Sequence, residues 1–127
     1  MNILLDSCDF LWFASGNPNL SENYQLAFSS PENVLFLSVV SDWEITIKCA
    51  IGKLSLPKKP SLYLPEIRQS LGIVSLPLID GPALTVDALP WVHKDPFDRV
   101  IISQALFHGL TLASSDPLVR CYPVTLL

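Results

Sequence analysis

The stretch Asp95-Pro-Phe-Asp-Arg-Val-Ile-Ile-Ser-Gln-Ala-Leu-Phe-His-Gly-Leu-Thr-Leu-Ala113 spells out a helix followed at once by a strand. Asp95 is a strong N-cap residue, because its carboxylate can accept from the free N–H groups of a first turn. Pro96 suits the first helical position, where no donor is needed and φ is already helical. Phe97, Val100, Ile101 and Ala105 recur on one face at the helical period. Gly109 stops the helix, since glycine enters the left-handed conformation of a C-terminal cap without steric cost. Leu110–Ala113 then reads as a strand.

Working outward, the same alternation covers the whole chain. Asn2–Leu5 is a short apolar strand that runs into Asp6. Asp9–Ala14 reads as a helix, broken at Ser15-Gly-Asn-Pro18. Ser21 opens a second helix to about Phe28, and Pro31-Glu-Asn33 turns into a strand over Val34–Val40. Ser41 then caps a helix, with Glu44 three residues on as the second half of a capping box, and Gly52 closes it. Pro57 and Pro60 bound a connector to a helix around Leu62–Leu71 that ends at Gly72. A strand at Ile73–Leu76, a short helix near Ala83–Ala88 and a last strand at Val124–Leu126 complete the pattern. Strands that alternate with helices pair in parallel through right-handed crossovers. The expected fold is therefore α/β, a three-layer α/β/α sandwich around a mainly parallel sheet. No repeat, low-complexity run or linker interrupts residues 1–127, which read as one domain.

Composition bounds the function. Half of the 127 residues are hydrophobic and 16% are charged, enough for one core and incompatible with disorder. No run reaches the ~20 apolar residues of a membrane helix, and the opening Met-Asn-Ile-Leu-Leu-Asp6 lacks the basic leader of a signal peptide. Cys8, Cys49 and Cys121 are odd in number and lack metal-finger spacing, so a reducing cytoplasm is the expected location. A net charge of −4 at first opposes a nucleic-acid partner. Charge placement matters more: with four acids committed to metal ions, the others match the 8 Lys and Arg. The positive mean hydropathy implies spare apolar surface, as in a homodimer or a partner-binding protein.

Asp6 directly follows the first strand and Asp116 follows the Leu110–Ala113 strand. Glu44 and Asp98 fall in the first turns of expected helices. Helix N-termini lie at the carboxyl edge of a parallel sheet, so all four acids should converge where open α/β sheets place their ligands. Four like charges together need a counter-charge, and an all-oxygen donor set suits Mg²⁺ or Mn²⁺ better than Zn²⁺. Such a site, with no nucleophilic Ser–His pair, points to metal-assisted phosphodiester hydrolysis. Ordinary roles also stand open to each acid. Asp6 can simply end a strand, Glu44 can serve a capping box and pair with Lys48, Asp98 can favour the helix dipole, and Asp116 can cap a turn. Lys48, Lys53, Lys94 and Arg99 are candidates to grip RNA phosphates, against the alternative of a solvated basic face. Trp12, Trp43 and Trp91 read as core or dimer contacts rather than base-stacking platforms. His93 reads as a loop histidine.

Several segments are familiar together: Leu4-Leu-Asp-Ser7 ahead of Leu11-Trp12, Ser41-Asp-Trp-Glu-Ile-Thr-Ile-Lys48, and Gly52-Lys-Leu-Ser-Leu-Pro57. They continue with Leu89-Pro-Trp-Val-His-Lys-Asp-Pro-Phe-Asp-Arg99, Gln104-Ala105 and Ser114-Ser-Asp116. In this order and spacing the chain resembles the VapC-type PIN-domain toxins of type II toxin–antitoxin systems over nearly its whole length. The resemblance implies that Asp6, Glu44, Asp98 and Asp116 bind one or two Mg²⁺ or Mn²⁺ ions and activate water for RNA cleavage, with Ser114 steadying the acidic site. It also implies a homodimer inhibited by a cognate antitoxin, whose C-terminal segment lies across the active site and whose DNA-binding domain lets the complex repress its own operon. The chain departs from its relatives at Ser7-Cys8, where Thr-His is common, at Asp42, where a small polar residue is usual, and at Gly81-Pro82, where His before Ala is frequent.

The residues also bear on three rival readings. A degenerate PIN-like module would bind RNA or a protein without cutting, yet all four acids are retained. A phospho-receiver domain needs an acceptor Asp after a middle strand and a late Lys, whereas the Val34–Val40 strand ends in Ser41 and the last lysine is Lys94. An Asp-x-Asp phosphatase fails because Ser7 and Cys8 both separate Asp6 from Asp9.

Overall fold

The computed structural model describes residues 1–127 throughout. Four strands, β1 (Asn2–Leu5), β2 (Val34–Ser38), β3 (Val74–Leu76) and β4 (Thr111–Ala113), make one sheet in the order β3-β2-β1-β4. Every pairing is parallel, so the mainly parallel expectation is met without exception. Leu5 lies opposite both Leu37 and Ala113, which brings the next residues, Asp6, Ser38 and Ser114, out side by side at one edge.

Six α-helices cover the sheet: α1 (Ser7–Ser15), α2 (Glu22–Ser29), α3 (Val39–Ala50), α4 (Pro60–Ser70), α5 (Asp80–Leu84) and α6 (Pro96–His108). Side chains alternate along each strand. Ile3 and Leu5 therefore pack with Phe10, Tyr24 and Phe28 on one face, while Leu4 packs with Ile101, Ile102 and Ala105 on the other. Two apolar layers with a sheet between them are the expected sandwich. Ile3, Leu4 and Leu5 are wholly buried, each worth about 1.5–3 kcal/mol over exposure, and this holds the register of such short strands.

Local signals at α6 hold in full. Asp95 accepts from the N–H groups of Phe97 and Asp98, Pro96 opens the helix, and Gly109 closes it at φ 65°. At α3 they do not. The helix begins three residues early, with Ser38 as its cap, accepting from the N–H of Val40 at 3.0 Å and donating to Gln104 Oε1 at 2.5 Å. Ser41 is instead buried inside the helix with its hydroxyl unpartnered, so the capping box does not form. Val39-Val40 is β-branched and suits a strand, but Val40 is buried in the α6 layer and Gln104 fixes the Ser38 hydroxyl. Tertiary contact chose between two competent serines. Likewise α1 begins at Ser7 rather than Asp9, because Asp6 caps it by accepting from the N–H of Asp9 at 2.7 Å. Val124–Leu126 forms no strand, only a bridge between Leu112 and Leu126.

Gly81 has a reason to be glycine. The Phe107 ring of α6 lies so close that a Cβ at position 81 would stand 2.4 Å from it. No helix is long and apolar enough to cross a membrane.

Candidate active site

A cleft of about 420 Å³ opens at the carboxyl edge of the sheet, and Asp6, Glu44, Asp98 and Asp116 all line it. They come from four places in the chain: the end of β1, the second turn of α3, the first turn of α6 and the loop after β4. Trp43 and Phe97, each beside one of these acids in sequence, meet edge to face at 5.3 Å and tie α3 to α6.

Asp6 is buried, and its two oxygens are taken by different donors. The N–H of Asp9 reaches Oδ1 at 2.7 Å, and Ser114 Oγ donates to Oδ2 at 2.5 Å. Burial, and then the neighbouring Asp9, hold the Asp6 carboxyl well above the usual carboxylate range, while Ser114 pulls the other way. The Ser114 hydroxyl oxygen also accepts from the N–H of Asp116 at 3.2 Å, so one side chain links two of the acids. Asp116 Oδ1 accepts in turn from the N–H of Leu118 at 2.9 Å, a turn-capping role kept alongside its place in the cleft.

Asp9 belongs to the site as well, although no sequence motif singles it out. It is fully buried, and accepts from the Ser115 N–H at 2.7 Å and the Ser115 hydroxyl at 2.5 Å. It thereby clamps the Ser114–Asp116 loop onto α1. The available signal was its spacing, three residues after Asp6 and so on the same helix face.

Glu44 is buried with both oxygens paired. Ser7 Oγ donates to Oε1 at 2.7 Å and Lys48 Nζ to Oε2 at 2.9 Å. That hydrogen bond raises the Lys48 ammonium above its ordinary value, with Asp95 and Asp98 adding to it. Asp98 Oδ2 lies 2.9 Å from His93 Nε2. Burial lifts the Asp98 carboxyl, and its bond to His93 opposes that.

The PIN domain profile matches residues 3–120. The chain belongs to the PIN-domain family. No curated protein sequence matches it significantly. Among solved structures it is similar to the Rickettsia felis VapBC2 complex bound to a promoter DNA fragment, with TM-score 0.74 and 14% identity over 100% of this chain and 97% of that one. It is also similar to FitAcB from Neisseria gonorrhoeae, with TM-score 0.62 and 20% identity over 98% and 96% of the two chains. VapBC-1 from nontypeable Haemophilus influenzae follows, with TM-score 0.60 and 18% identity over 91% and 87%. At such identities the likeness speaks for the fold.

Not every residue singled out from the sequence stands where this PIN domain would need it. Lys48 and Lys53 line the cleft, whereas Lys94 is exposed outside its lining. Arg99 is a correction. It is 3% exposed and donates to the carbonyls of Val86, Leu89 and Pro90 and to the Tyr122 hydroxyl, with the Trp91 ring 3.9 Å away. An arginine with that many protein partners has no face left for a phosphate. Cys8 opens into the cleft rather than the core. Desolvation there and the charge of Asp6 push its thiol up to about 11, so it stays protonated at neutral pH.

The donor set of this PIN domain suits a hard divalent ion, being carboxylate oxygen throughout. Asp6 takes its hydrogen bonds from neutral donors, and burial beside Asp9 disfavours its charged form. No three of the carboxyl, imidazole or thiol groups are gathered closely enough to form a finished cage. Lys48 and His93 hold Glu44 and Asp98 in the present arrangement.

Proposed function

We propose that this PIN domain is a metal-dependent endoribonuclease, the toxin of a toxin–antitoxin pair, that hydrolyses RNA phosphodiesters with Mg²⁺ or Mn²⁺. The observation that carries the reading is the meeting of Asp6, Glu44, Asp98 and Asp116 in one cleft from four separate segments. PIN domains are generally nucleases that use divalent metals. The similar structures from Rickettsia felis and Haemophilus influenzae are VapBC complexes, the first on promoter DNA, which supports an antitoxin partner.

Asp6, Glu44, Asp98 and Asp116 would hold the ion, and Ser114 would orient Asp6 while linking it to Asp116. A divalent ion supplies Lewis-acid polarisation of the phosphate and eases the ionisation of water there. Lys48 and Lys53 at the cleft would meet backbone phosphates, with Lys94 farther along the strand. Leu84, Leu106 and Phe107 are exposed on α5 and α6, an apolar surface that supports a homodimer.

The test is cleavage of cellular RNA by the purified chain with Mn²⁺ and with EDTA, followed by mapping of the new 5′ ends. Expression alone should arrest growth, and the small protein encoded upstream should relieve it. Harmless high-level expression with all four acids intact would end the toxin reading. A second reading, a PIN module that binds RNA or a protein without cutting, draws on the pairing of Glu44 with Lys48 and Asp98 with His93. RNA retained intact in the presence of Mn²⁺ would favour it.

A further inference from the structure

His93 and Tyr122 stand behind Asp98 and do not line the cleft. Tyr122 is buried, and two donors converge on its phenol oxygen: Arg99 Nη1 at 3.0 Å and the His93 N–H at 3.3 Å. A phenol has one proton to give and limited room to accept. With two donors already on the oxygen, the proton goes to the nearest acceptor. That is His93 Nδ1 at 2.7 Å, the His93 carbonyl being farther at 3.3 Å. A ring nitrogen that accepts carries no proton, so the proton of the neutral imidazole sits on Nε2, which faces Asp98 Oδ2 at 2.9 Å.

We propose that Arg99, Tyr122 and His93 form a positioning relay that pins His93 as the Nε2–H tautomer and fixes Asp98 by Oδ2, leaving Oδ1 to the cleft. The orientation originates in the main chain. Arg99 is held by the carbonyls of Val86, Leu89 and Pro90 just before α6, so the loop sets the guanidinium, and each later member is set by the one before it. A neutral donor orients the carboxylate without adding positive charge beside it. Groups that orient metal-binding side chains in this way typically change metal affinity about 10–100-fold when removed. The inference rests on the reading of Asp98 as a metal ligand. It also gives Arg99 a role that its burial allows.

Two measurements on the full chain test it. In metal-free protein at pH 8, long-range ¹H–¹⁵N spectra should show His93 as the Nε2–H tautomer, and Tyr122→Phe should turn it into a mixture. Calorimetric titration with Mn²⁺ should show about tenfold weaker binding for Tyr122→Phe and for His93→Ala. His93→Gln, whose amide can still donate to Oδ2, should recover most of the loss. An Nδ1–H tautomer in the wild type, or wild-type Mn²⁺ affinity in a folded His93→Ala chain, overturns the relay alone. A wild-type chain that takes up no Mn²⁺ overturns the metal reading beneath it, and the relay's role with it.

Discussion

On the strand-end wall of the cleft, Asp6 and Asp9 are buried and take their hydrogen bonds from neutral donors: Ser114, Ser115 and the N–H of Asp9. On the helical wall, Glu44 faces an ammonium and Asp98 an imidazole. The first wall is stiff and short of positive charge. The second is mixed: Lys48 is about half exposed and can turn away, whereas His93 is held from behind by Tyr122. On the proposed metal reading, a cation has most to gain at Asp6, whose charged form burial and Asp9 disfavour, and it must compete with Lys48 for Glu44. Buried carboxylates on neutral donors mark one side of the site, and an exchangeable ammonium on Glu44 with a fixed imidazole on Asp98 marks the other.

Asp6→Asn should show the largest effect. Asparagine caps a helix as well as aspartate does, so α1 should still start, while Mn²⁺-dependent cleavage should fall about a thousandfold, the several kcal/mol that metal catalysis supplies. Stability should move the other way. The folded chain binds the Asp6 proton more tightly than the unfolded chain, because the folded pKa is raised. That contribution is whole below the unfolded value of about 3.9 and is lost as pH rises through the folded value. Asp98 and Asp42, raised by burial, act in the same sense. Melting temperature in EDTA should thus decline as pH rises from about 4 towards neutrality, and decline less in Asp6→Asn. Parallel curves for the two proteins would place the charge deficit elsewhere.

The next effect compares the walls directly. Asp9→Ala removes a wholly buried carboxylate and the two hydrogen bonds that it accepts from exposed Ser115, each a bond to a charged acceptor, at a cost of about 3 kcal/mol, or roughly 10 °C in melting temperature. Glu44→Ala frees an exposed ammonium and a hydroxyl that water can reach, so about 1 kcal/mol is expected. Equal losses in thermal melts would erase the distinction drawn between the two sides.

The smallest effect concerns where the helical wall begins. Ser38→Ala should cost about 1 kcal/mol, the usual worth of an N-cap, and more if Gln104 is left unpaired. Ser41→Ala should cost nothing or stabilise slightly, since its buried hydroxyl has no partner. Denaturant midpoints that reverse this order would restore the cap to Ser41 and move Glu44 back into a first turn.

Much of the architecture is written in short windows of the chain. Helical period, the Asp95-Pro96 start, the Gly109 stop and the apolar run into Asp6 depend on neighbours a few residues apart. Alternation alone then implies a parallel sheet with its functional edge after the strands. From that, Asp6, Glu44, Asp98 and Asp116 are expected at one edge, and all four line one cleft. Other features depend on partners far away in sequence. Ser38 rather than Ser41 caps α3 because Gln104 of α6 holds its hydroxyl. Asp9 matters because Ser115, 106 residues away, lies against it. Arg99 turned inward because the loop before α6 offered it three carbonyls. A serine competent to cap, an acid free to pair and an arginine able to reach phosphate look alike in sequence. Burial and the nearest unsatisfied polar group separate them, and both exist only once the layers have packed.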